Sequence, residues 1–311
     1  MGILVADHLC APIDHLPEQG ELVQTEGISL EPGGCAANTA IVLAKLGVPV
    51  AVVGCVGDDA MGRHLRDTLT ERGVDATHVA FRADLATSAT LVVNVAGEDR
   101  RFVHAIGANA GLRAAHVPRD LLRGARVLYV GGYLVLPGLD PQELAELLAE
   151  ARGHGVTTVL DVVSGSDPDP RRALEPVLPH TDHFLPNEDE ARAITGRNEP
   201  LEQAAALRDM GADTVVVTGG ARGAWSVSAD ASLWAAPADV RFVDGTGAGD
   251  AFTAGYVAGL VEGLAAHDRL RLGAVLGASC VTRVGSTAGV LDRQAAAEQL
   301  LRAPPAIETI R

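Results

Sequence analysis

From about residue 110 onward, short apolar runs alternate with helix-length stretches, and this alternation limits the possible folds more than any other feature of the chain. The run 127–130 reads as a buried strand. Asp140 and Pro141 then open a helix to about His154, because Asp caps well and Pro suits the first helical position. Strands at 156–160, near His183 and at 214–217 alternate with helices at 188–194 and 201–210, and a turn-rich stretch covers 164–170. Strands separated by helices imply βαβ units, a parallel sheet, and ligands at the carboxyl ends of the strands.

Residues 9–30 and 78–107 break this rhythm. They hold alternating, strand-like segments such as 89–95 and 101–105, with the turn Gly97-Glu98-Asp99 between these two and no helical pattern. They are expected to form a small β-sheet lid over one side of an α/β core made of 1–8, 31–77 and 108–311. An exposed apolar face on such a sheet would suit pairing with a second copy, giving a homodimer through the lid.

Composition excludes several functions. The formal net charge of −15 disfavours nucleic acid and anionic membranes as partners. No apolar run approaches the roughly 20 residues of a membrane span. The N-terminus lacks the basic flank and apolar stretch of a signal peptide, so a cytoplasmic location is expected. Cys10, Cys35, Cys55 and Cys280 show no metal-ligand spacing and read as reduced thiols. Lys45 is the only lysine in the 311 residues. Phosphate binding would therefore rest on backbone amides, a metal and arginines.

The segment Val243-Asp244-Gly245-Thr246-Gly247-Ala248-Gly249-Asp250 precedes an apolar helix expected over 251–264. Its glycines free the backbone to turn sharply and present its N–H groups. Ahead of a helix, those amides and the helix dipole make a site for an anion. Asp250, at the helix start, could accept a proton from an alcohol attacking a phosphoryl group. The structural alternative is a tight turn with Asp250 as its N-cap. A dinucleotide fingerprint would come earlier, with G-x-G-x-x-G spacing. A phosphate-loop kinase is excluded, because Leu46 follows Lys45.

A second glycine-rich stretch, GGCAANTAIVLAKLG, begins at Gly33. Gly33 and Gly34 leave room for a ligand, and Asn38 puts an amide on the first turn of an apolar helix. Asn38 can contact that ligand or make a buried structural hydrogen bond. Asp7 follows the first short strand and would end near the same place. Cys35 lies in this stretch and serves equally well as a small hydrophobe.

Together the two stretches resemble the ribokinase-like, phosphofructokinase-B-type carbohydrate kinase family over essentially the whole chain. Gly33, Gly34, Asn38, Ala40, Gly47 and Gly57 match its first signature, and Asp244, Gly247, Ala248, Gly249 and Asp250 its second. Gly245 departs from it, standing where Thr or Pro is usual.

The resemblance implies a three-layer α/β/α sandwich with a mainly parallel central sheet, a β lid, and ATP-dependent transfer to a primary hydroxyl of a small sugar. Asp250 matches the general base, and Gly247, Ala248 and Gly249 the anion hole. Asp7, Gly33, Gly34 and Asn38 match sugar contacts, with Arg101 able to assist from the lid. Asn187, Thr218, Gly219, Gly220, Gly223 and Gly247 match the nucleotide site. Glu190, one helical turn from Asn187, matches the group that orders Mg2+ through water, although this pair also suits an ordinary helix N-terminus. Asp244 and Ser286 match a monovalent-cation site, which would hold K+.

Family members acting on phosphosugars tend to carry a lysine where this chain has Cys35. The expected substrates are therefore a ketose, a ribose-like sugar or a keto-deoxy sugar acid. A nucleoside ranks second, with Phe81 and Phe102 as aromatic platforms. A non-catalytic sugar-binding relative is a further alternative, and a nucleotide-dependent oxidoreductase ranks below it.

Overall fold

The computed structural model describes residues 1–98, 101–165 and 169–310. Asp99 of the expected 97–99 turn and residues 166–168 of the expected 164–170 turn lie outside the described residues. The chain opens with β1 (Val5–Cys10), β2 (Ile28–Gly33), α1 (Cys35–Lys45), β3 (Ala51–Gly57), α2 (Ala60–Glu71) and β4 (Asp75–Arg82). It continues through β5 (Ala89–Val93), β6 (Arg101–Ala105), α3 (Arg119–Gly124), β7 (Val127–Val130), α4 (Pro141–Gly153) and β8 (Thr157–Leu160). Next come α5 (Pro170–Leu174), β9 (His183–Phe184), α6 (Glu188–Thr195), α7 (Pro200–Asp209) and β10 (Thr214–Thr218). The last part holds β11 (Ala224–Val227), β12 (Ser232–Ala235), α8 (Ala248–Val261), α9 (Ala266–Cys280), α10 (Arg293–Arg302) and β13 (Ile307–Ile310).

The main sheet has seven strands in the order β13-β12-β11-β10-β9-β8-β7. Strands β7 to β10 are parallel, as βαβ units require, and β10 to β13 run antiparallel at the other end. Residues 1–3 extend the sheet toward the parallel pair β3–β4: Gly2 N donates to Val53 O at 3.1 Å, and Gly131 N donates to Met1 O at 3.0 Å. Asp140 caps α4 by accepting from the Gln142 and Glu143 amides, with Pro141 at the first helical position.

Helices cover both faces of the sheet, and β10 shows why. Its Val215 and Val217 pack with Leu144, Ala191 and Leu207 of α4, α6 and α7, whereas Val216 packs on the other side with Phe252 and Tyr256 of α8. A strand that is apolar on both faces must be covered on both. Helix α8 is apolar all round and central, as expected of a helix buried between neighbours. Burial of Phe252, Tyr256 and Val257 contributes roughly 5–9 kcal/mol together, at about 1.5–3 kcal/mol each. The expected three-layer α/β architecture is present.

A separate four-stranded sheet, β2-β1-β5-β6, forms the lid. Its β1–β5 pairing is parallel and the other two pairings are antiparallel. The lid sheet takes in Val5 and extends to Gly33, whereas residues 78–82 lie in β4 and pair with β3. The sequence pattern is ambiguous there. Val5 and Ala6 are both buried and look like a core strand, and β4 alternates like a lid strand although it lies against α2.

Candidate active site

Helix α8 begins earlier than its sequence suggests. Gly247 is the N-cap, with φ 76°, and Asp250 is the third helical residue. A side chain at 247 would meet the backbone of Ser286, so glycine is required there for space as well as for conformation. No side chain caps α8. Asp250 therefore does not serve its own helix as an N-cap. First-turn amides have no intrahelical partner. The Ala248 amide is taken by Gly245 O at 3.3 Å.

The loop before α8 is held by Asp244. Its Oδ1 accepts from Thr246 N at 2.9 Å and Thr246 Oγ1 at 2.7 Å, and its Oδ2 accepts from Gly285 N at 2.9 Å. These bonds fix the loop although residue 245 has no side chain. They also tie it to the segment carrying Ser286.

Asp250 is linked to α1. Asn38 Nδ2 donates to Asp250 Oδ2 at 2.8 Å, and Ser286 Oγ donates to Asn38 Oδ1 at 2.9 Å. The second bond fixes which end of the amide faces the carboxylate. Asp250 is partly buried. Burial pushes its pKa up, against opposing hydrogen bonds from Asn38 and Cys35. The helix N-terminus favours the anion, but desolvation outweighs it.

Asp7 approaches from the lid. A Cβ on Gly33 would collide with its carboxylate, so only glycine allows this approach. Burial raises the Asp7 pKa to about 6; a Thr90 hydrogen bond opposes the rise and the Asp250 charge adds to it. Asp7, Gly33, Asn38 and Asp250, drawn from the lid, α1 and α8, thus share one locality.

Sequence reasoning missed Asp161, which follows β8. Its carboxylate, that of Asp250 and Cys35 Sγ all lie within 4.8 Å of one another. Tyr129 Oη donates to Asp161 Oδ2 at 2.9 Å. Burial pushes the Asp161 pKa well above the usual carboxylate range, and the charges of Glu190 and Asp250 push it further. The available signal was an acid at the carboxyl end of a parallel strand, where ligands bind in such sheets. Burial and the nearby carboxylates also push the Cys35 thiol well up, so it stays protonated.

Asn187 and Glu190 form a reciprocal capping box at the start of α6. Asn187 Oδ1 accepts from Glu190 N at 2.9 Å, and Glu190 Oε2 accepts from Asn187 N at 2.8 Å. Burial raises the Glu190 pKa to about 7, against hydrogen bonds from the Asn187 and Ser164 amides. Crowded oxygen donors that raise one another's pKa suit a hard cation such as Mg2+. Asn187 also lies beside Thr218 in a parallel bridge, and Gly219 N donates to Gly223 O at 2.8 Å to close the turn 219–223. Both sit at the carboxyl ends of adjacent strands.

One expected contributor, Arg101, and the single lysine are engaged in other contacts. Arg101, on the lid's edge strand, is paired with Glu98. Lys45 donates to Val290 O. A cleft of about 800 Å3 opens beside the α8 loop, between lid residues such as Ile28 and Asn94 and the loop residues Val243, Asp244 and Ser286. No helix among the described residues is long and apolar enough to cross a membrane.

Known proteins resemble this chain over most of its length. Ribokinase from Haemophilus influenzae is 29% identical over 308 residues, covering 96% of this chain and 97% of that protein. Aminoimidazole riboside kinase from Salmonella typhimurium is 30% identical over 236 residues, covering 73% of this chain and 72% of that protein. The structure of Arabidopsis thaliana ribokinase complexed with ribose and ATP superposes with a TM-score of 0.82 at 26% identity, covering 96% of each chain. The pfkB family carbohydrate kinase profile matches residues 2–293, and the chain belongs to that family.

Proposed function

We propose that this kinase transfers the γ-phosphoryl group of ATP to a primary hydroxyl of a small sugar, with Asp250 as the general base. The observation that carries this reading is the placement of Asp250: a carboxylate in the first turn of α8, not used as a cap, held by Asn38 and facing Asp7. Asp250 accepts the hydroxyl proton, and the amides of Gly247 and Gly249, joined by that of Ala248 once it is released from Gly245 O, stabilise charge on the transferred group. Asp7, Gly33, Gly34 and Asn38 hold the sugar. Asn187 and the 218–223 turn hold the nucleotide. Glu190, acting through water, and Asp161 would hold Mg2+, which would neutralise phosphate charge.

A panel of sugars, sugar acids, sugar phosphates and nucleosides assayed for ATP consumption tests this. Turnover greatest on a neutral sugar is expected. Fructose 6-phosphate turning over well above every neutral sugar would overturn the substrate reading. Greatest turnover on a nucleoside would favour the second reading, which the aminoimidazole riboside kinase relative supports. No ATP consumption with any acceptor would indicate a non-catalytic sugar-binding protein, and an NADH absorbance change would indicate an oxidoreductase. K+ activation at Asp244 and Ser286 is read from kcat in KCl against NaCl.

The lid face opposite Asp7 exposes Ile28, Leu91 and Val103, at 65%, 43% and 68%. This apolar face supports a homodimer through the lid. Light scattering at micromolar concentration tests it, and a monomer would count against it.

A further inference from the structure

Three strands of the lid place three polar side chains in one row. The register pairs Asp7 of β1 with Thr90 of β5, and Thr90 with His104 of β6. Register partners point to the same face, with Cβ atoms about 5 Å apart. Thr90 Oγ1 lies 3.0 Å from His104 Nδ1, and the register sets the Thr90 side chain beside the Asp7 carboxylate, whose pKa it lowers.

Proton counting sets the direction of the row. A threonine hydroxyl has one proton to donate, and an ionised carboxylate can only accept. For the Thr90 hydroxyl to serve Asp7, its proton must point to that carboxylate. The hydroxyl oxygen must then accept from His104, so His104 carries its proton on Nδ1 and turns Nε2 toward the exposed edge of the lid. Thr90 is 9% exposed, so losing either bond would leave a largely buried hydroxyl short of a partner. Two other charged groups border Asp7. Glu31 is its register partner on β2, with Arg72 at 3.9 Å from that carboxylate, and Asp250 lies across the site.

Resting on the reading of Asp7 as a sugar contact, we propose that Thr90 and His104 are positioning residues for it. His104 orients the Thr90 hydroxyl, and Thr90 holds the Asp7 carboxylate so that its free oxygen faces the sugar hydroxyls. The sugar affinity of this kinase then depends on a relay that crosses the lid and reaches solvent at its edge strand.

Steady-state kinetics at saturating ATP, using the sugar with the greatest turnover in the panel, test this. Thr90→Val keeps the shape and removes the hydroxyl. It should raise the sugar KM at least about tenfold, the effect of a hydrogen bond to a charged group. The kcat and the ATP KM should stay within about threefold, and Thr90→Ser should restore the sugar KM to within about threefold of wild type. His104→Phe should raise the sugar KM by several-fold. His104→Asn, whose amide can donate from the position of Nδ1, should not. Circular dichroism checks that each variant is folded. If Thr90→Val does not fold, the contrast between His104→Phe and His104→Asn decides alone. If Asp7→Asn raises the sugar KM but neither Thr90→Val nor His104→Phe does, the relay is overturned and the role of Asp7 stands. An unchanged sugar KM in Asp7→Asn would instead overturn the reading of the sugar site itself.

Discussion

The Asn38 amide meets the Asp250 carboxylate at 2.8 Å across 212 residues of sequence. The two glycine-rich stretches are thereby joined by a hydrogen bond between one polar side chain of each. Ser286 holds the other end of the amide, so Asn38 presents its N–H group to the carboxylate in one fixed orientation.

Replacing Asn38 by Ala should therefore disturb the proposed base more than the fold. A hydrogen bond to a charged group contributes about 1.5–3 kcal/mol, so kcat should fall roughly 10- to 150-fold. Ser286→Ala acts on Asp250 through the amide and should have the smaller effect. Comparable losses in the two variants would show that Ser286 contributes in its own right. Saturation kinetics on both proteins make the comparison.

Asp250→Asn keeps the shape and the contact with α1 but cannot accept a proton. The kcat should fall at least about a hundredfold, the lower end for removing a positioned general base. Since Asp250 does not cap α8 and its charge is disfavoured by burial, the variant should remain folded and melt no lower than wild type. Retention of more than roughly a tenth of wild-type kcat would rule out a base role of that size.

Asp161→Asn removes a buried carboxyl group beside Asp250 and Glu190 while keeping an oxygen able to accept from Tyr129. If this carboxylate helps to hold Mg2+, the Mg2+ concentration for half-maximal activity should rise about 10- to 100-fold, as for other disturbed metal sites. The sugar KM should stay close to wild type. A Mg2+ titration at fixed ATP distinguishes this from loss of the base, which no amount of metal would restore.

The sequence shows most of the fold where one residue type has one role. The apolar run 127–130 is β7, residue for residue, and the Asp140–Pro141 pair marks the start of α4. Elsewhere a residue type has two roles and the pattern alone cannot choose between them. Gly249 reads as loop from sequence, yet glycine is allowed in a helix and α8 already contains it. In the candidate site, residues within glycine-rich signatures stood out. Asp161 and Thr90 did not, because each is a single polar residue, one just after a strand and the other within one, and acquires neighbours only when distant strands align. The N-x-x-E pair was visible, but its reciprocal capping bonds were only one of the two geometries its spacing allows.

The last prediction separates stability from affinity at Asp7. Its pKa is raised from 3.8 to about 6, chiefly by burial, so the folded protein holds this proton more tightly than the unfolded chain. The stability linked to that proton is full below about pH 4 and is lost as pH rises through about 6. At pH 7 wild type then carries the cost of a buried charge, up to roughly 3 kcal/mol for a shift of about two units. Asp7→Asn removes that cost and can still accept from Thr90. It should be the more stable protein at pH 7, by up to about 3 kcal/mol, with the advantage shrinking toward pH 4. Sugar binding should move the opposite way. The wild-type sugar KM should rise as pH falls through about 6, where the carboxylate protonates. In Asp7→Asn the KM should be high at every pH and lack that limb. Denaturation at pH 4 and pH 7, set beside KM across the same range, reads both effects. A variant less stable than wild type at pH 7 would mean that the Asp7 charge is held by favourable contacts rather than tolerated for the sugar.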